Sequence, residues 1–353
     1  MAITLNWLIY GANGYTGELI AREAVSRGLK PILAGRNRAA VTALAAELNL
    51  ECRIFGLDDP QVVQAGLKDC AVVLHCAGPF SHTAKPMLEA CLLTHTHYLD
   101  ITGEIAVFEM AATYDAVAKL AGIMLLPGAG FDVVPTDCLA AHLKAQLPAA
   151  TQLSLAFRGL GQTSRGTTLT AWESMSTGGM VRRAGQLIPV PPAWKTRQID
   201  FDDGRGPTAT ITVPWGDVST AYYTTGIPNI EVYMTFKPWF RRLLLASRYF
   251  SWLLRSAPLQ SFLKAQIKAM PRGATADQRA RSTSYVWGEV RDDAGHTVTK
   301  RFKAPDGYTL TVFTTLAIVE QVLDGHTPSG FQTPAQAYGP GLIFQIPGVT
   351  RLA

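Results

Sequence analysis

The sequence has few charged residues for its length and lacks the marks of several protein classes. Only 17% of its 353 residues are charged, whereas 48% are apolar; an average protein has about 25% charged residues. This composition is typical of a globular chain with a large core and excludes a disordered or fibrous one. At roughly 150 residues per domain, the length predicts two domains.

Cysteine is scarce, and no metal-binding pattern is present. The chain has five cysteines, none in a CxxC motif or in a His/Cys cluster with zinc spacing. We expect no metal and a reducing, cytoplasmic compartment. No uncharged apolar run reaches the roughly 18 residues of a membrane span. The first apolar run leads directly into a glycine turn, so no signal peptide is expected.

Charge is distributed unevenly along the chain. Residues 1–145 carry 10 basic and 14 acidic side chains, a net charge of −4, whereas residues 146–353 carry 22 and 13, a net charge of +9. The change of sign predicts a domain boundary near this point. We expect domains at 1–147 and 148–325, and a tail, 326–353, that returns to the body.

The first half alternates short apolar runs with segments of helical spacing. This order is typical of an α/β fold, a doubly wound parallel sheet in which the carboxyl ends of the strands form one functional edge. The predicted strands are 5–10, 31–34, 52–55, 71–76, 98–101 and 122–126. The predicted helices are 18–27, 39–48, 84–93 and 107–120, with a further helix that ends near 147.

A glycine-rich segment lies between the first predicted strand and the first predicted helix. Gly11-Ala-Asn-Gly14-Tyr-Thr-Gly17 has the form GxxGxxG, a variant of the dinucleotide-binding fingerprint. Gly11 allows a sharp turn, Gly14 lets the backbone approach a pyrophosphate, and Gly17 permits close packing of the helix. The helix N-terminus then faces the phosphates with its partial positive charge. The context favours a bound dinucleotide over a glycine turn without a ligand.

The end of the second predicted strand indicates which dinucleotide binds. An NAD site has an acid there, about 20 residues beyond the fingerprint, to bind the ribose 2′-hydroxyl. Here the segment reads AGRNR and has no acid. Arg36 can pair with a 2′-phosphate and stack on adenine, so the sequence favours NADP(H) over NAD(H). Asp58 is either an adenine ligand or the cap of the helix that follows.

Three further segments follow the fourth, fifth and sixth predicted strands: CAGPF at 76–80, HYLDITGE at 97–104 and PGAGFDVVPTD at 127–137. They converge where a nicotinamide is expected, and their small residues let the backbone run close to a ligand. The predicted cofactor-binding residues are Gly11, Asn13, Gly14, Tyr15, Thr16, Gly17, Arg36, Asn37, Asp58, Ala77, Gly78, Pro79, Thr102, Gly103, Gly130 and Phe131.

Taken in order, GANGYTG, AGRN, CAGPF, YLDITGE and PGAGFDVVPTD resemble the saccharopine dehydrogenase-like oxidoreductases. The likeness is greatest to the branch that includes trans-acting enoyl reductases of lipid and polyketide synthesis, and residues 281–289 and 330–335 are similar to the same branch. The resemblance covers nearly the whole chain. It implies a Rossmann NADP-binding domain with a substrate domain, and it leaves the substrate open because the branch is chemically diverse.

A nicotinamide-dependent enzyme also needs a group that polarises or protonates the hydride acceptor. The first candidates are Tyr98 and Asp132, followed by Glu104. Tyr98 can donate a proton after hydride reaches the β-carbon of an enoyl group, and Asp132 in a buried loop can have a raised pKa and act as an acid. Asp100 and Asp137 are further candidates, with backbone bonding and helix capping as their alternatives.

The second half is predicted to be an α+β domain on a mostly antiparallel sheet, because five segments alternate apolar and polar residues. Residues 184–207, rich in Pro and Gly, are either a lid or a plain connection, and Ser164 with its neighbours either caps a helix or holds a substrate carbonyl. Predicted strands are 151–159, 208–213, 229–236, 285–292 and 297–302; predicted helices are 167–183 and 308–323.

Two patterns in this half need interpretation. Tyr233 and Lys237 match the YxxxK spacing of short-chain dehydrogenases. We reject that pair because it works on a helix, and these residues lie in a β-type run. Residues 232–276 carry eight basic side chains and no acid. This pattern suits contact of 238–268 with a membrane surface or an acidic carrier protein, and equally a helix packed on the body.

We therefore expect a Rossmann domain with a second α+β domain, and an NADPH-dependent reductase of the C=C bond of an apolar enoyl or terpenoid-like substrate, which a carrier protein can present. Imine reduction of the saccharopine-reductase type is the alternative chemistry. A non-catalytic NADP(H)-binding regulator or a lipid-associated protein is the alternative class. No nucleic-acid motif is present and +5 is mild, so no nucleic acid is expected. A homodimer is expected if the second sheet covers a partner.

Overall fold

The computed structural model describes residues 5–159, 164–166, 168, 178–246, 266 and 272–352. The chain divides into two compact units, one of Met1–Val134 with Leu310–Ala337 and the other of Pro135–Thr309 with Tyr338–Ala353. The boundaries of these units differ from those expected after residues 147 and 325. One reason is that the segment Leu310–Ala337 belongs to the first unit and adds a strand to its sheet.

The first unit is built on a seven-stranded parallel sheet, as the alternating pattern predicted. The order across the sheet is β3-β2-β1-β4-β5-β6-β15, the doubly wound arrangement with one strand added after β6. The strands are β1 (Asn6–Tyr10), β2 (Ile32–Gly35), β3 (Cys52–Ile54), β4 (Cys70–His75), β5 (His97–Asp100), β6 (Met124–Leu126) and β15 (Gly330–Phe331).

Helices connect the parallel strands. They are α1 (Tyr15–Ser26), α2 (Arg38–Leu48), α3 (Pro60–Leu67), α4 (Phe80–Thr94), α5 (Ile105–Thr113), α6 (Asp115–Ala121) and α7 (Val134–Gln146). Two of them begin a full helical turn or nearly so before the predicted start: α1 directly after Gly14 and α4 directly after Pro79. The predicted helix 107–120 is interrupted at Tyr114, whose N–H bonds the carbonyl three residues back rather than four.

Apolar strand residues form the centre of this unit. Leu8 pairs with Val73 and Ile9 with Leu74 in the β1–β4 ladder, and all four side chains are fully buried. Each contributes roughly 1.5–3 kcal/mol through removal from water. The sheet is thus a rigid base for the loops at its carboxyl edge.

The second unit is built on a nine-stranded sheet, and among its described strands only β7 and β12 pair in parallel. The fold-class prediction is confirmed. Its strands are β7 (Gln152–Arg158), β8 (Gly179–Arg183), β9 (Gln186–Val190), β10 (Thr196–Ile199), β11 (Thr208–Thr212), β12 (Asn229–Thr235), β13 (Thr283–Arg291), β14 (Thr297–Pro305) and β16 (Thr350–Leu352). Its order is β10-β11-β12-β7-β13-β14-β16, with β8 paired to β12 and β9.

The end of the predicted helix 167–183 is a strand, so that part of the prediction was wrong; residues 167 and 169–177 lie outside the described residues. Strands β8 and β9 form a hairpin with a two-residue turn at Ala184 and Gly185, both of which have positive φ. Such a turn matches the twist of the strands, but Ala at its first position is a weak signal.

Residues 184–207 are not a lid. They contain β9 and β10, and the side chains of Ile199 and Phe201 belong to the core of the second unit. The remaining helices are α8 (Asp217–Thr225), α9 (Pro238–Ala246), α10 (Ala276–Ala280), α11 (Gly307–Leu323) and α12 (Pro334–Tyr338). Among the described residues, none of the helices has the length and apolar character that crossing a bilayer would require. Tyr233 lies in β12 and Lys237 beyond its end, which confirms the rejection of the YxxxK pair.

Candidate active site

The glycine turn after β1 lies tightly against its neighbours. Gly11 has φ +81°, and a Cβ built on it would lie 2.8 Å from the Cβ of Ala77 at the end of β4. A Cβ on Gly17 would lie 2.5 Å from the Gly11 carbonyl oxygen. The first helix therefore packs directly on the turn, and its N-cap is Gly14, which provides no side-chain cap. A helix end with this form fits a pyrophosphate.

The ends of β2 and β3 bring Arg36 and Asp58 near Tyr10. The Tyr10 hydroxyl donates to the Phe55 carbonyl at 3.1 Å. Burial raises the pKa of Tyr10 to about 12, with Arg36 opposing the rise and Asp58 adding to it. The Arg36 side chain is exposed and has no hydrogen bond or salt bridge within the described part of the chain. Its guanidinium group is thus open to a 2′-phosphate.

Two neighbouring residues have local structural tasks. The Asn37 side chain accepts a hydrogen bond from the Ala40 N–H and caps α2. Asp59 accepts from the Gln61 N–H and caps α3. The residue that caps α3 is therefore Asp59 rather than Asp58. The other alternative for Asp58, that it binds adenine, stays a prediction.

The end of β4 is held by a buried histidine. His75 is fully buried, and its Nε2 lies 3.0 Å from the Thr83 hydroxyl, which donates to the Ala77 carbonyl at 2.6 Å. Because the hydroxyl proton is used there, the His75 nitrogen acts as the donor. Burial lowers the pKa of His75 to about 3, so the ring is neutral. His75 therefore has a structural role at the end of β4.

Glu104 binds the N-terminus of α4. Its carboxylate oxygens accept hydrogen bonds from the backbone N–H groups of Phe80 at 2.9 Å and Ser81 at 2.8 Å. The N-cap residue of this helix, Pro79, has no side chain that can do so, and the peptide before it is cis. Glu104 thus fixes the loop after β5 to the loop after β4.

Asp100 is the centre of a second set of hydrogen bonds. Its fully buried carboxylate accepts from the Tyr98 hydroxyl at 2.6 Å, the Thr102 N–H at 2.9 Å and the Gly128 N–H at 2.8 Å. Burial raises the pKa of Asp100 to about 6, and these three hydrogen bonds oppose the rise. The Tyr98 side chain is also fully buried, and burial followed by the Asp100 charge raises the pKa of its hydroxyl.

Asp132 lies in the loop between β6 and α7. Its side chain is half-buried, and desolvation alone raises the pKa of its carboxyl group to about 7. A Cβ built on Gly103 would lie 2.8 Å from Asp132 Oδ2, so the carboxyl group lies directly against the backbone of the loop after β5. The carboxyl group is therefore close to half-protonated at neutral pH.

The Asp132 loop is fixed from a distant part of the chain. The Thr311 hydroxyl accepts from the Phe131 N–H at 3.0 Å, and the Thr314 hydroxyl donates to the Ala129 carbonyl at 2.9 Å. A Cβ on Gly130 would lie 3.0 Å from the Thr311 methyl carbon. Sequence reasoning missed both threonines, because nothing near them in the sequence indicates that α11 contacts this loop.

Most of the predicted site residues lie on these connected loops at one edge of the sheet. The exception among the acids is Asp137, which lies buried in the first turn of α7, the position of a helix N-terminal acid. It accepts a hydrogen bond from the Thr224 hydroxyl, a contact that the sequence did not indicate. Ser164 immediately precedes a helical residue and its N–H donates to the Tyr308 hydroxyl. Within the described residues, no group of three or more His, Cys, Asp or Glu side chains could hold a metal ion.

Comparisons with known proteins agree with this geometry. Residues 7–126 match the family described as saccharopine dehydrogenase NADP binding domain. A saccharopine dehydrogenase-like oxidoreductase of Bos taurus is 29% identical, over 37% of this chain and 35% of that protein. A trans-acting enoyl reductase of Mycobacterium leprae is 30% identical, over 37% of this chain and 33% of that protein. The chain thus matches about a third of the length of these relatives.

One solved structure shares the fold over nearly the whole chain. The apo saccharopine dehydrogenase (L-Glu forming) of Saccharomyces cerevisiae has a TM-score of 0.65 at 12% identity and covers 99% of this chain and 100% of its own. At this identity the likeness concerns the fold alone. Together with the glycine turn, Arg36 and the loops at the sheet edge, the match over residues 7–126 identifies the first part of this chain as an NADP-binding domain of the saccharopine dehydrogenase type.

Proposed function

We propose that the protein is an NADPH-dependent reductase of an apolar, unsaturated substrate, in which Asp132 donates the proton. The observation that carries this proposal is a carboxyl group with a pKa of about 7 at the edge of the sheet where a nicotinamide is expected. A general acid is most effective when its pKa is near the working pH. The name of the mycobacterial relative supports an enoyl group as the acceptor.

The residues of the first domain hold the cofactor and order the reaction. Arg36 binds the 2′-phosphate, and the turn at Gly11–Gly17 receives the pyrophosphate. When bound, NADPH supplies a hydride, which adds to the β-carbon of the conjugated C=C bond. Asp132 then gives its proton to the α-carbon, so that one hydride and one proton saturate the bond, and the carboxylate takes a new proton from water.

Asp132 is better placed for this task than Tyr98 or Glu104. The Tyr98 hydroxyl is enclosed and donates to Asp100, and both oxygens of Glu104 accept from backbone N–H groups. Asp132 retains partial exposure to solvent, which a group that exchanges protons in every cycle requires. Tyr98 and Glu104 instead support the loops that position Asp132.

The charge around the acceptor position limits the substrate. The segments 76–80, 100–104 and 127–132 contain three acids, Asp100, Glu104 and Asp132, and neither lysine nor arginine. Such surroundings disfavour a free carboxylate on the reacting part and suit a neutral thioester or a terpenoid-like chain. They also suit a protonated imine, whose cation the acids would stabilise. Imine reduction, with Asp132 as the proton donor to nitrogen, is therefore the second candidate.

The test compares the wild type with Asp132→Asn. We expect the wild type to oxidise NADPH with neutral enoyl thioesters, and the variant to lose about 10²–10⁴-fold in rate. Calorimetry should give the same NADPH affinity for both proteins. In D₂O, deuterium should appear at the α-carbon.

Three outcomes would contradict the proposal. Turnover with cyclic imines but not with enoyl thioesters would favour the second candidate. NADPH binding without turnover on either acceptor class would favour a regulatory protein. A fully active Asp132→Asn variant would remove Asp132 from the reaction.

A further inference from the structure

The first turn of α9 presents a large aromatic side chain to solvent. Trp239 is 64% exposed, although tryptophan is usually among the more buried residues. Lys237 and Arg242 beside it are exposed, and Arg241 is half-buried. We name these four residues, 237, 239, 241 and 242, the α9 tip.

The α9 tip is held in place by the other face of its helix. Leu244 is buried with Ala193 and Ile211 of the second unit, and further apolar side chains pack on this cluster. The Phe240 ring lies 5.5 Å from the Trp239 ring, edge to face. The indole is thus supported on an aromatic neighbour of an anchored helix, so its exposure is a feature of the packed structure.

The α9 tip carries three basic side chains and no acidic one. Lys237, Arg241 and Arg242 form no ion pair with any described residue. Other arginines of the same unit do have acidic partners: Arg158 pairs with Asp203 at 2.8 Å and Arg197 with Glu289 at 2.6 Å. The surrounding stretch of sequence, 232–276, has eight basic residues and no acid. The bases of the α9 tip therefore have no acidic neighbour within this stretch of the sequence.

We propose that the α9 tip docks on an anionic phospholipid surface, with Trp239 at the headgroup level and the basic side chains on the lipid phosphates and carboxylates. Tryptophan prefers this depth because its ring is apolar and its N–H is polar, and basic side chains near an anionic leaflet add to binding. A protein interface also enriches tryptophan and arginine, but it uses charges of both signs to fix its register. A surface with one sign of charge and one exposed indole instead suits a partner without fixed shape.

The experiment measures flotation of the full chain with vesicles of phosphatidylcholine alone and with about one third phosphatidylserine added. We expect binding to the second kind only, and weaker binding as salt increases. Each basic side chain near such a surface strengthens binding about fivefold, so reversal of two charges should reduce it about 100-fold or more. Trp239→Ala should reduce it about tenfold.

A matched control separates the α9 tip from overall charge. The pair Lys237→Glu with Arg242→Glu is compared with Arg281→Glu and Lys303→Glu, two exposed bases of the same unit. Both pairs change the net charge by the same amount, and only the first pair should lose binding. NADPH affinity and the unfolding transition of every variant serve as controls for folding.

Three results would overturn the proposal. The first is a wild type that floats with neither kind of vesicle. The second is an equal loss in both charge-reversal pairs. The third is salt-sensitive binding to an acidic carrier protein in the absence of any binding to anionic vesicles, which would assign the α9 tip to a protein partner. None of these results depends on the reductase activity.

Discussion

Replacement of Asp132 by Asn should stabilise the protein, and the gain should depend on pH. In the folded state burial raises the pKa of Asp132 to about 7, whereas an aspartate in an unfolded chain has a pKa of about 3.9. The native state therefore disfavours the charged form. Asn has a similar shape and never ionises, so the variant removes this cost and leaves the packing against Gly103 unchanged.

The magnitude follows from the distance between the two pKa values. About three pH units at 1.36 kcal/mol each give roughly 4 kcal/mol, and contact of the half-buried side chain with water lowers this to roughly 2–4 kcal/mol. Below about pH 4 the carboxyl group is protonated in both the folded and the unfolded state, so it does not lower the free energy of unfolding. Between about pH 4 and pH 7 it ionises only in the unfolded chain, so wild-type stability falls as pH rises. Above about pH 7 the loss is complete.

The assay is urea unfolding of both proteins at several pH values without NADPH, followed by far-UV circular dichroism. The difference between variant and wild type isolates Asp132 from every other titrating group. It should be small at acid pH and reach its full value near pH 8. A difference that is flat across this range would refute the assigned pKa, and with it the role of Asp132 as the acid. Asp100→Asn is the contrasting variant: Asp100 accepts three hydrogen bonds, so its replacement should destabilise at every pH.

Four further predictions concern the same loops. Arg36→Asp should weaken NADPH binding far more than NADH binding in calorimetry, and equal losses would reject the 2′-phosphate contact. Gly11→Ala would place a Cβ at a φ of +81° and 2.8 Å from the Cβ of Ala77. It should lower the free energy of unfolding by roughly 2–4 kcal/mol and abolish NADPH binding. A variant with wild-type stability and NADPH affinity would contradict the tight turn. Glu104→Ala should lower the free energy of unfolding by about 1–2 kcal/mol, because two N–H groups of α4 lose their acceptor. A variant as stable as the wild type would show that water replaces the carboxylate. With wild-type enzyme, kcat/KM for the reductase should decrease as pH rises through about 7, since Asp132 must be protonated, and a rate that rises instead would point to a base.

Local signals in the sequence were sufficient for the NADP-binding domain and its glycine turn. The glycine turn and Arg36 each depend on residues within one strand–turn–helix unit, and parallel strands place the ends of β4, β5 and β6 at one edge without further information. Helix starts were less certain. Residue 80 opens α4 because Glu104, 24 residues later in the chain, supplies the cap, and the sequence around Pro79 has no residue that signals it.

Long-range contacts account for what the sequence could not predict. The Thr311 hydroxyl accepts a hydrogen bond from the Phe131 N–H, which lies 180 residues earlier in the chain. Thr311 lies in a largely apolar helical segment, and nothing in that segment of the sequence indicates this partner. The hairpin of β8 and β9 was not predicted from the sequence for a different reason. Its turn uses Ala184 at a positive φ, where Asn or Asp is the usual signal.

The two aspartates of the site show why residue type alone does not assign a task. Asp100 and Asp132 both follow short strands of the same sheet, and burial raises the pKa of each, to about 6 and about 7. Three hydrogen bonds favour the charged form of Asp100 and oppose its rise, which makes Asp100 a fixed anchor for the loops after β5 and β6. For Asp132 desolvation raises the pKa, so its carboxyl group keeps the proton up to near neutral pH and can give it up there. Three hydrogen bonds thus fix Asp100 to the loops, whereas desolvation sets the pKa of Asp132, and both environments arise only when the loops fold together.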